Sequence, residues 1–204
     1  MTTAIIDYGA GNLRSVANAL RAAGEDRAFV THVADEVARA DRILLPGVGA
    51  YGSCIGALRA LPGMVEAMEA AVLRRAVPFL GICVGLQLLA DFGHEFGKHA
   101  GLGWVPGAVT RLDPADAALP IPHIGWSEVC ATGTGGPAMP RWAYFVHSYR
   151  FEAADPADVA AHADYGGPVV AAVRRGNVLG VQFHPEKSQR DGLAFLSGFL
   201  AWRP

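Results

Sequence analysis

Paired cysteines are missing from this sequence. Its three, Cys54, Cys83 and Cys130, lie far apart and form no CxxC, so neither a disulfide framework nor a zinc cage is supported. A cysteine that matters here acts as a free thiol. An excess of basic charge is missing too. Seventeen Lys+Arg against nineteen Asp+Glu leave a net charge of −2, with no basic stripe, so no nucleic-acid partner is expected. The uncharged run AVPFLGICVGLQLLA (76–90) falls short of the ~20 apolar residues of a membrane-crossing helix and carries Pro78, two glycines and Gln87. The opening MTTAIIDYG lacks a basic n-region, a long apolar h-region and a cleavage site. No membrane association and a cytoplasmic location are therefore expected. Nucleotide signatures are weak: no G-x-x-x-x-G-K-[ST] occurs, and in YGAGNLR (8–14) the third glycine of G-x-G-x-x-G would fall at Arg14.

Hydrophobic residues are plentiful, 51% of 204, which excludes a disordered chain and suits one large domain over 1–204. TAIID (3–7) reads as a buried strand ending in the turn YGAGN. LRSVANALRAAG (13–24) has helical spacing and closes on Gly24. RILL (42–45) ends in PGVG, and VPFLGI (77–82) precedes a helical stretch from about Val84. Short buried strands alternating with helices predict an α/β fold with a parallel sheet covered on both faces. Beyond about residue 100 the texture changes. AYFVHSYRF (143–151) is strand-like, VVAAVRRGNVLGVQF (169–183) reads as a hairpin around RRGN, and DGLAFLSGFLAW (191–202) reads as a closing helix. DPADAALP and ATGTGGPAMP read as surface loops. A parallel N-terminal half and an antiparallel C-terminal half are expected.

GICVGLQ (81–87) places Cys83 between two glycines at a strand–turn–helix junction, the thiol form of a nucleophile elbow. Gly81 and Gly85 relieve crowding around a strained central residue. The helix start behind the sulfur favours negative charge there and offers N–H groups to an oxyanion. An isolated G-x-C-x-G also fits a small buried cysteine at a tight turn. GVQFHPEKS (180–188) supplies His184-Pro185-Glu186. In an extended chain His184 and Glu186 share a side, so the carboxylate can orient the imidazole as a general base. HPE alone also fits a solvated strand end. With the elbow it completes a Cys–His–Glu triad. PGVG (46–49) could aim backbone N–H groups at a substrate oxygen, or be an ordinary βα turn.

Together GICVGLQ, PGVG and HPE resemble the triad-type (class I) glutamine amidotransferases. IIDYGAGNLRSV, IPHIGWSEV, YFVHSYRF and GVQFHPEKS resemble, within them, the glutaminase subunits of imidazole glycerol phosphate synthase, a likeness running from residue 3 to the final helix. Val84 and Leu86 depart from the Leu and Met more usual there. The resemblance implies a flavodoxin-like central mixed sheet with helices on both faces. It implies that Cys83 attacks the side-chain amide of L-glutamine, with His184 moving the proton and Glu186 orienting it. Backbone N–H groups of Val84 and of the Val48–Gly49 peptide would form the oxyanion hole. Gln87, His147, Ser148 and Tyr149 would hold the substrate's amino-acid end. Neither metal nor organic cofactor is implied. The partner implied is a (βα)₈-barrel cyclase that receives the ammonia, in histidine biosynthesis, with Asn12, Trp126, Tyr144 and Lys187 facing it. Three other readings stay open: a stand-alone thiol hydrolase on a flavodoxin-like fold, a catalytically silent binding module, and an amidotransferase subunit of the anthranilate or aminodeoxychorismate type.

Overall fold

The computed structural model describes residues 1–116, 118–133 and 135–204; Ala117 and Thr134, within the two segments read as surface loops, lie outside the described residues. The N-terminal half alternates as the sequence spacing predicts. Strand β1 (Thr3–Ile6) leads to helix α1 (Leu13–Ala22), β2 (Ala28–Thr31) to α2 (Ala34–Arg39), and β3 (Arg42–Gly47) to α3 (Tyr51–Ala60). Helix α4 (Met64–Glu69) runs into a π-helical turn (Ala70–Arg74), followed by β4 (Phe79–Cys83) and a single-turn helix α5 (Val84–Gln87). The helical stretch after Cys83 is thus shorter than its apolar run suggests.

Seven further short strands then follow: β5 (Phe92–Gly93), β6 (His99–Ala100), β7 (Gly107–Arg111), β8 (His123–Glu128), β9 (Cys130–Ala131), β10 (Trp142–His147) and β11 (Tyr149–Ala153). The chain closes with β12 (Val159–Asp164), β13 (Pro168–Arg175), β14 (Val178–Val181) and helix α6 (Gln189–Ala201). The main sheet runs β2-β1-β3-β4-β14-β13-β12-β9. It is parallel from β2 through β14 and antiparallel from there to β9. The C-terminal β14 is therefore the seam: parallel to β4 on one side, hairpin partner of β13 on the other.

Every residue of β1, β3, β4 and β14 is buried, which requires cover on both faces of the sheet. This is a mixed α/β sheet. Its parallel strands deliver the residues that follow Gly47, Cys83 and Val181 to one edge, the carboxyl ends, where open α/β sheets hold ligands.

AYFVHSYRF does not form one strand. It breaks at Ser148, with β10 pairing only β8 and β11 joining β7, β5 and β6 in a second sheet. The carbonyl of Ser148 is taken by Leu112 N (2.8 Å), so the break is a fixed corner. The segment read as a loop from Ala131 starts inside β9, which pairs β12. No helix among the described residues is long and apolar enough to cross a membrane.

Candidate active site

The site is built at the end of β4. Cys83 has φ +56° and ψ −110°, a backbone state that side-chain-bearing residues avoid and that the packing around it must enforce. Two glycines permit it. A Cβ on Gly85 would lie 1.8 Å from the carbonyl oxygen of Leu45 in β3, and one on Gly81 would lie 2.5 Å from the carbonyl of Gly85. Only bare backbone lets α5 start this close to the sheet.

His184 arrives from the adjacent β14, three residues past its end. Its backbone N–H donates to the carbonyl of Tyr144 (2.9 Å). The Ser188 hydroxyl donates to the His184 carbonyl (2.7 Å) and accepts from Tyr144 N (3.0 Å). The HPE segment is not extended throughout. His184 is, but Pro185–Lys187 is a 3₁₀ turn, because the fixed φ of Pro185 suits a first helical position. That turn brings Glu186 Oε1 to 2.7 Å from His184 Nδ1, both side chains almost wholly buried. Glu186 Oε2 and His184 Nε2 make no hydrogen bond among the described residues. Burial opposes charge on this imidazole. The favourable interactions with the Cys83 sulfur and Glu186 outweigh it and lift His184 to about 9, so the ring is an imidazolium at neutral pH. At Nε2 the sulfur lies near enough to favour that charge while outside hydrogen-bond geometry.

A cavity of about 390 Å³ opens over Cys83, Val84 and His184. Val48 and Gly49 form part of its rim, and Gln87, His147, Ser148 and Tyr149 form its far wall. The residues read from PGVG, GICVGLQ and the HSY stretch thus share one space with the thiol. Gly49 has φ +104° with open space where a Cβ would stand, so its glycine is required by backbone conformation alone. The Cys54 thiol donates to the Val48 carbonyl (3.4 Å), which pins the resting orientation of the Val48–Gly49 peptide. Gln87 Nε2 donates to the Tyr149 carbonyl and to Gln182 Oε1, each at 3.0 Å. Both ring nitrogens of His147 are engaged inside the chain, with Tyr149 O (2.9 Å) and His123 Nδ1 (3.1 Å). His147 therefore braces the wall and has no ring nitrogen left for a ligand.

Glu95 also lines the cavity, and nothing in the local sequence singles it out. Its Oε2 accepts from Tyr51 N (2.7 Å) at the start of α3, across 44 positions. No group of three or more His, Cys, Asp or Glu side chains placed to hold a metal occurs among the described residues.

The sequence profile described as glutamine amidotransferase class-I matches residues 4–201. The chain is 56% identical to "Imidazole glycerol phosphate synthase subunit HisH" of Zymomonas mobilis, over 100% of this chain and 97% of that one. It is 50% identical to the protein of that name in Rhodospirillum rubrum, over the whole of both chains. The chain belongs to the class-I glutamine amidotransferases, in the HisH family. Solved structures share its fold. A glutamine amidotransferase crystal structure superposes with a TM-score of 0.73 at 19% identity, covering 98% of this chain and 99% of that one. PurLQS from Thermotoga maritima gives 0.72 at 20%, covering 98% and 97%.

Beside Cys83, His184 and Glu186, this amidotransferase presents the outer face of the β8–β10 ribbon. Opposed residues of an antiparallel pair share a face, and Tyr144 pairs with Trp126, Val146 with Ile124 and Trp142 with Glu128. Ile124 is 58% exposed, and Trp126 and Trp142 are each 44% exposed. Trp126 meets the Tyr144 ring edge-on at 6.1 Å, and Lys187 Nζ stands 5.9 Å from the centre of the same ring. Trp126, Tyr144 and Lys187 therefore form one cluster. Asn12 caps α1, its Oδ1 accepting from Ser15 N (3.2 Å).

Proposed function

We propose that this chain is the glutaminase subunit of an imidazole glycerol phosphate synthase, hydrolysing L-glutamine to glutamate and ammonia with Cys83, His184 and Glu186. The sulfur of Cys83 adds to the side-chain carbonyl carbon, and the carbonyl oxygen becomes an oxyanion facing backbone N–H groups of Val84 and the Val48–Gly49 peptide. His184 gives its Nε2 proton to the leaving nitrogen, the C–N bond breaks and ammonia departs, leaving a glutamyl thioester. A water then attacks the thioester, His184 takes its proton, the C–S bond breaks and glutamate leaves. Glu186 holds the ring by Nδ1 throughout. These steps close on the chain's own groups, with no cofactor.

The far wall of the cavity suits the amino-acid end of the substrate. Glu95 brings a carboxylate for an α-ammonium, while Ser148 and Tyr149, at the corner between β10 and β11, offer backbone and hydroxyl groups to the α-carboxylate. Gln87 and His147 hold that wall in shape.

The ammonia released needs an acceptor. The reading assigns it to a (βα)₈-barrel cyclase docked on the Trp126–Tyr144–Lys187 face, with Asn12 at its margin, in a cytoplasmic heterodimer. The product pair is imidazole glycerol phosphate and the ribonucleotide AICAR, in histidine biosynthesis. Identity of 50–56% to HisH subunits over 97–100% of their length favours this over an anthranilate- or aminodeoxychorismate-type subunit.

One observation carries the reading: a left-handed Cys83 and His184, the latter held by buried Glu186, line one cavity. The test is a separation of activities in the reconstituted complex. Cys83→Ala abolishes glutamine-dependent synthesis and leaves ammonia-driven synthesis intact. Continued release of glutamate from glutamine at a comparable rate would remove Cys83 as the nucleophile.

A further inference from the structure

Gln182 is fully buried, two residues before His184, and takes no part in the triad. One end of its amide lies 3.7 Å from Cys83 Sγ and the other 3.0 Å from Gln87 Nε2. A side-chain amide can be reversed in place, so which end faces the sulfur has to follow from its partners. The Tyr149 carbonyl decides it, since a carbonyl only accepts. The end of Gln87 that lies 3.0 Å from it must be the NH₂ group. The second hydrogen of that NH₂ points to Gln182, whose facing atom is then the oxygen. What remains for the sulfur is the Gln182 NH₂.

The same carbonyl anchors a second branch. His147 Nδ1, 2.9 Å from Tyr149 O, must carry a hydrogen. Burial holds His147 down at about 4, so its other nitrogen is a bare acceptor, filled by His123 Nδ1–H at 3.1 Å. His123, also held at about 4 by burial, accepts in turn from the Ser127 hydroxyl at 2.9 Å. Its ring stacks on Phe145 and Tyr165. Both lone pairs of Tyr149 O are thus occupied, and neither amide can turn over without leaving buried donors facing donors.

We propose that Gln182 is a further catalytic residue, whose Nε2–H donates to the Cys83 sulfur and holds it as a thiolate, in an orientation enforced through Gln87 by the Tyr149 carbonyl. The donor acts twice: before attack, when the sulfur must be anionic, and at thioester hydrolysis, when it leaves as an anion. The inference rests on Cys83 being the nucleophile.

The test uses the full chain and iodoacetamide, a small electrophile that needs no glutamine subsite. The thiolate displaces iodide, and modification is followed at the Cys83 and Cys130 peptides by mass spectrometry at neutral pH. Exposed Cys130 serves as the internal reference. In Gln182→Met, Cys83 is expected to react about tenfold more slowly while Cys130 is unchanged, the scale of one lost hydrogen bond to a charged group. Glutaminase kcat falls in parallel with KM little moved. Gln182→Glu keeps an oxygen for Gln87 and, as a carboxylate, puts an acceptor and a negative charge where the donor stood, so it decides the matter if Gln182→Met does not fold; it is expected to slow Cys83 at least as much. Reaction of Cys83 within twofold of wild type in a folded variant overturns the inference. If alkylated wild type still hydrolyses glutamine, the nucleophile assignment fails instead.

Discussion

Gly85→Ala puts the elbow to the most direct test. The added Cβ would stand 1.8 Å from the Leu45 carbonyl oxygen and 2.9 Å from its carbon, against ordinary contact of 3.4 Å or more. Both atoms are backbone in the centre of a buried strand, so β3 has no side chain to turn aside. The start of α5 must retreat by about 1.5 Å, carrying the Val84 N–H and the Cys83 sulfur with it. Overpacking of this kind costs about 1–3 kcal/mol of stability. Misplacing a reacting atom by ~1 Å costs on the order of 10²-fold in rate. The assay is glutamate release by the complex, paired with thermal unfolding. Gly56→Ala is the matched control: Gly56 is exposed on α3, with nothing within 4 Å of its Cβ position. There the substitution should raise stability by about 0.5–1 kcal/mol and leave kcat alone. If Gly85→Ala kept kcat within about threefold and melted with wild type, close approach of α5 to β3 would not be what sets the elbow.

Glu186→Gln should keep the fold and lower kcat on the order of 10²–10⁴-fold, about tenfold less than His184→Ala, because it assists the base rather than moving the proton; equal losses in the two variants, read by glutaminase kinetics, would refute the hierarchy. His184 rises from 6.5 to about 9 on folding, so its charge contributes stability that is complete below pH 6.5 and is lost as pH climbs through about 9. Melting temperature should therefore fall more steeply between pH 7 and 10 in wild type than in His184→Asn, and the alkaline limb of glutaminase activity should sit near pH 9 and move down in Glu186→Gln. The chain alone should be a poor glutaminase, switched on in the complex with its nucleotide ligand by reorientation of the Val48–Gly49 peptide; a single oxyanion donor is worth roughly 10²–10³ in rate. Gly49→Val, opposed by φ +104° and not by any neighbour, should blunt that activation with the complex still assembled, and equal rates for chain, complex and liganded complex would rule the switch out.

Much of this protein is determined by short-range pattern. Apolar runs closed by glycine turns set β1, β3 and β4 and the helices between them, and the RRGN signal sets the β13–β14 hairpin, because strand and helix periodicity act over a few residues. The elbow and the HPE pair are also legible locally: two glycines beside Cys83 permit the close approach its backbone state needs and a proline beside His184 favours the turn that follows, while the packing of α5 on β3 enforces the Cys83 conformation. Family membership was legible for the same reason, carried by contiguous motifs. What surrounds the thiol was not. Tertiary structure alone decided that AYFVHSYRF splits between two sheets, since pairing partners, not propensity, end a strand at Ser148. It alone brought Glu95 into the cavity, held to Tyr51 N across 44 positions. It alone joined Tyr149, Gln87, Gln182 and Cys83, through hydrogen bonds that span 62, 95 and 99 positions. A hydrogen bond between side chains so far apart requires only that buried donors and acceptors meet once the sheet has closed, and it leaves no periodic mark on the residues near either end.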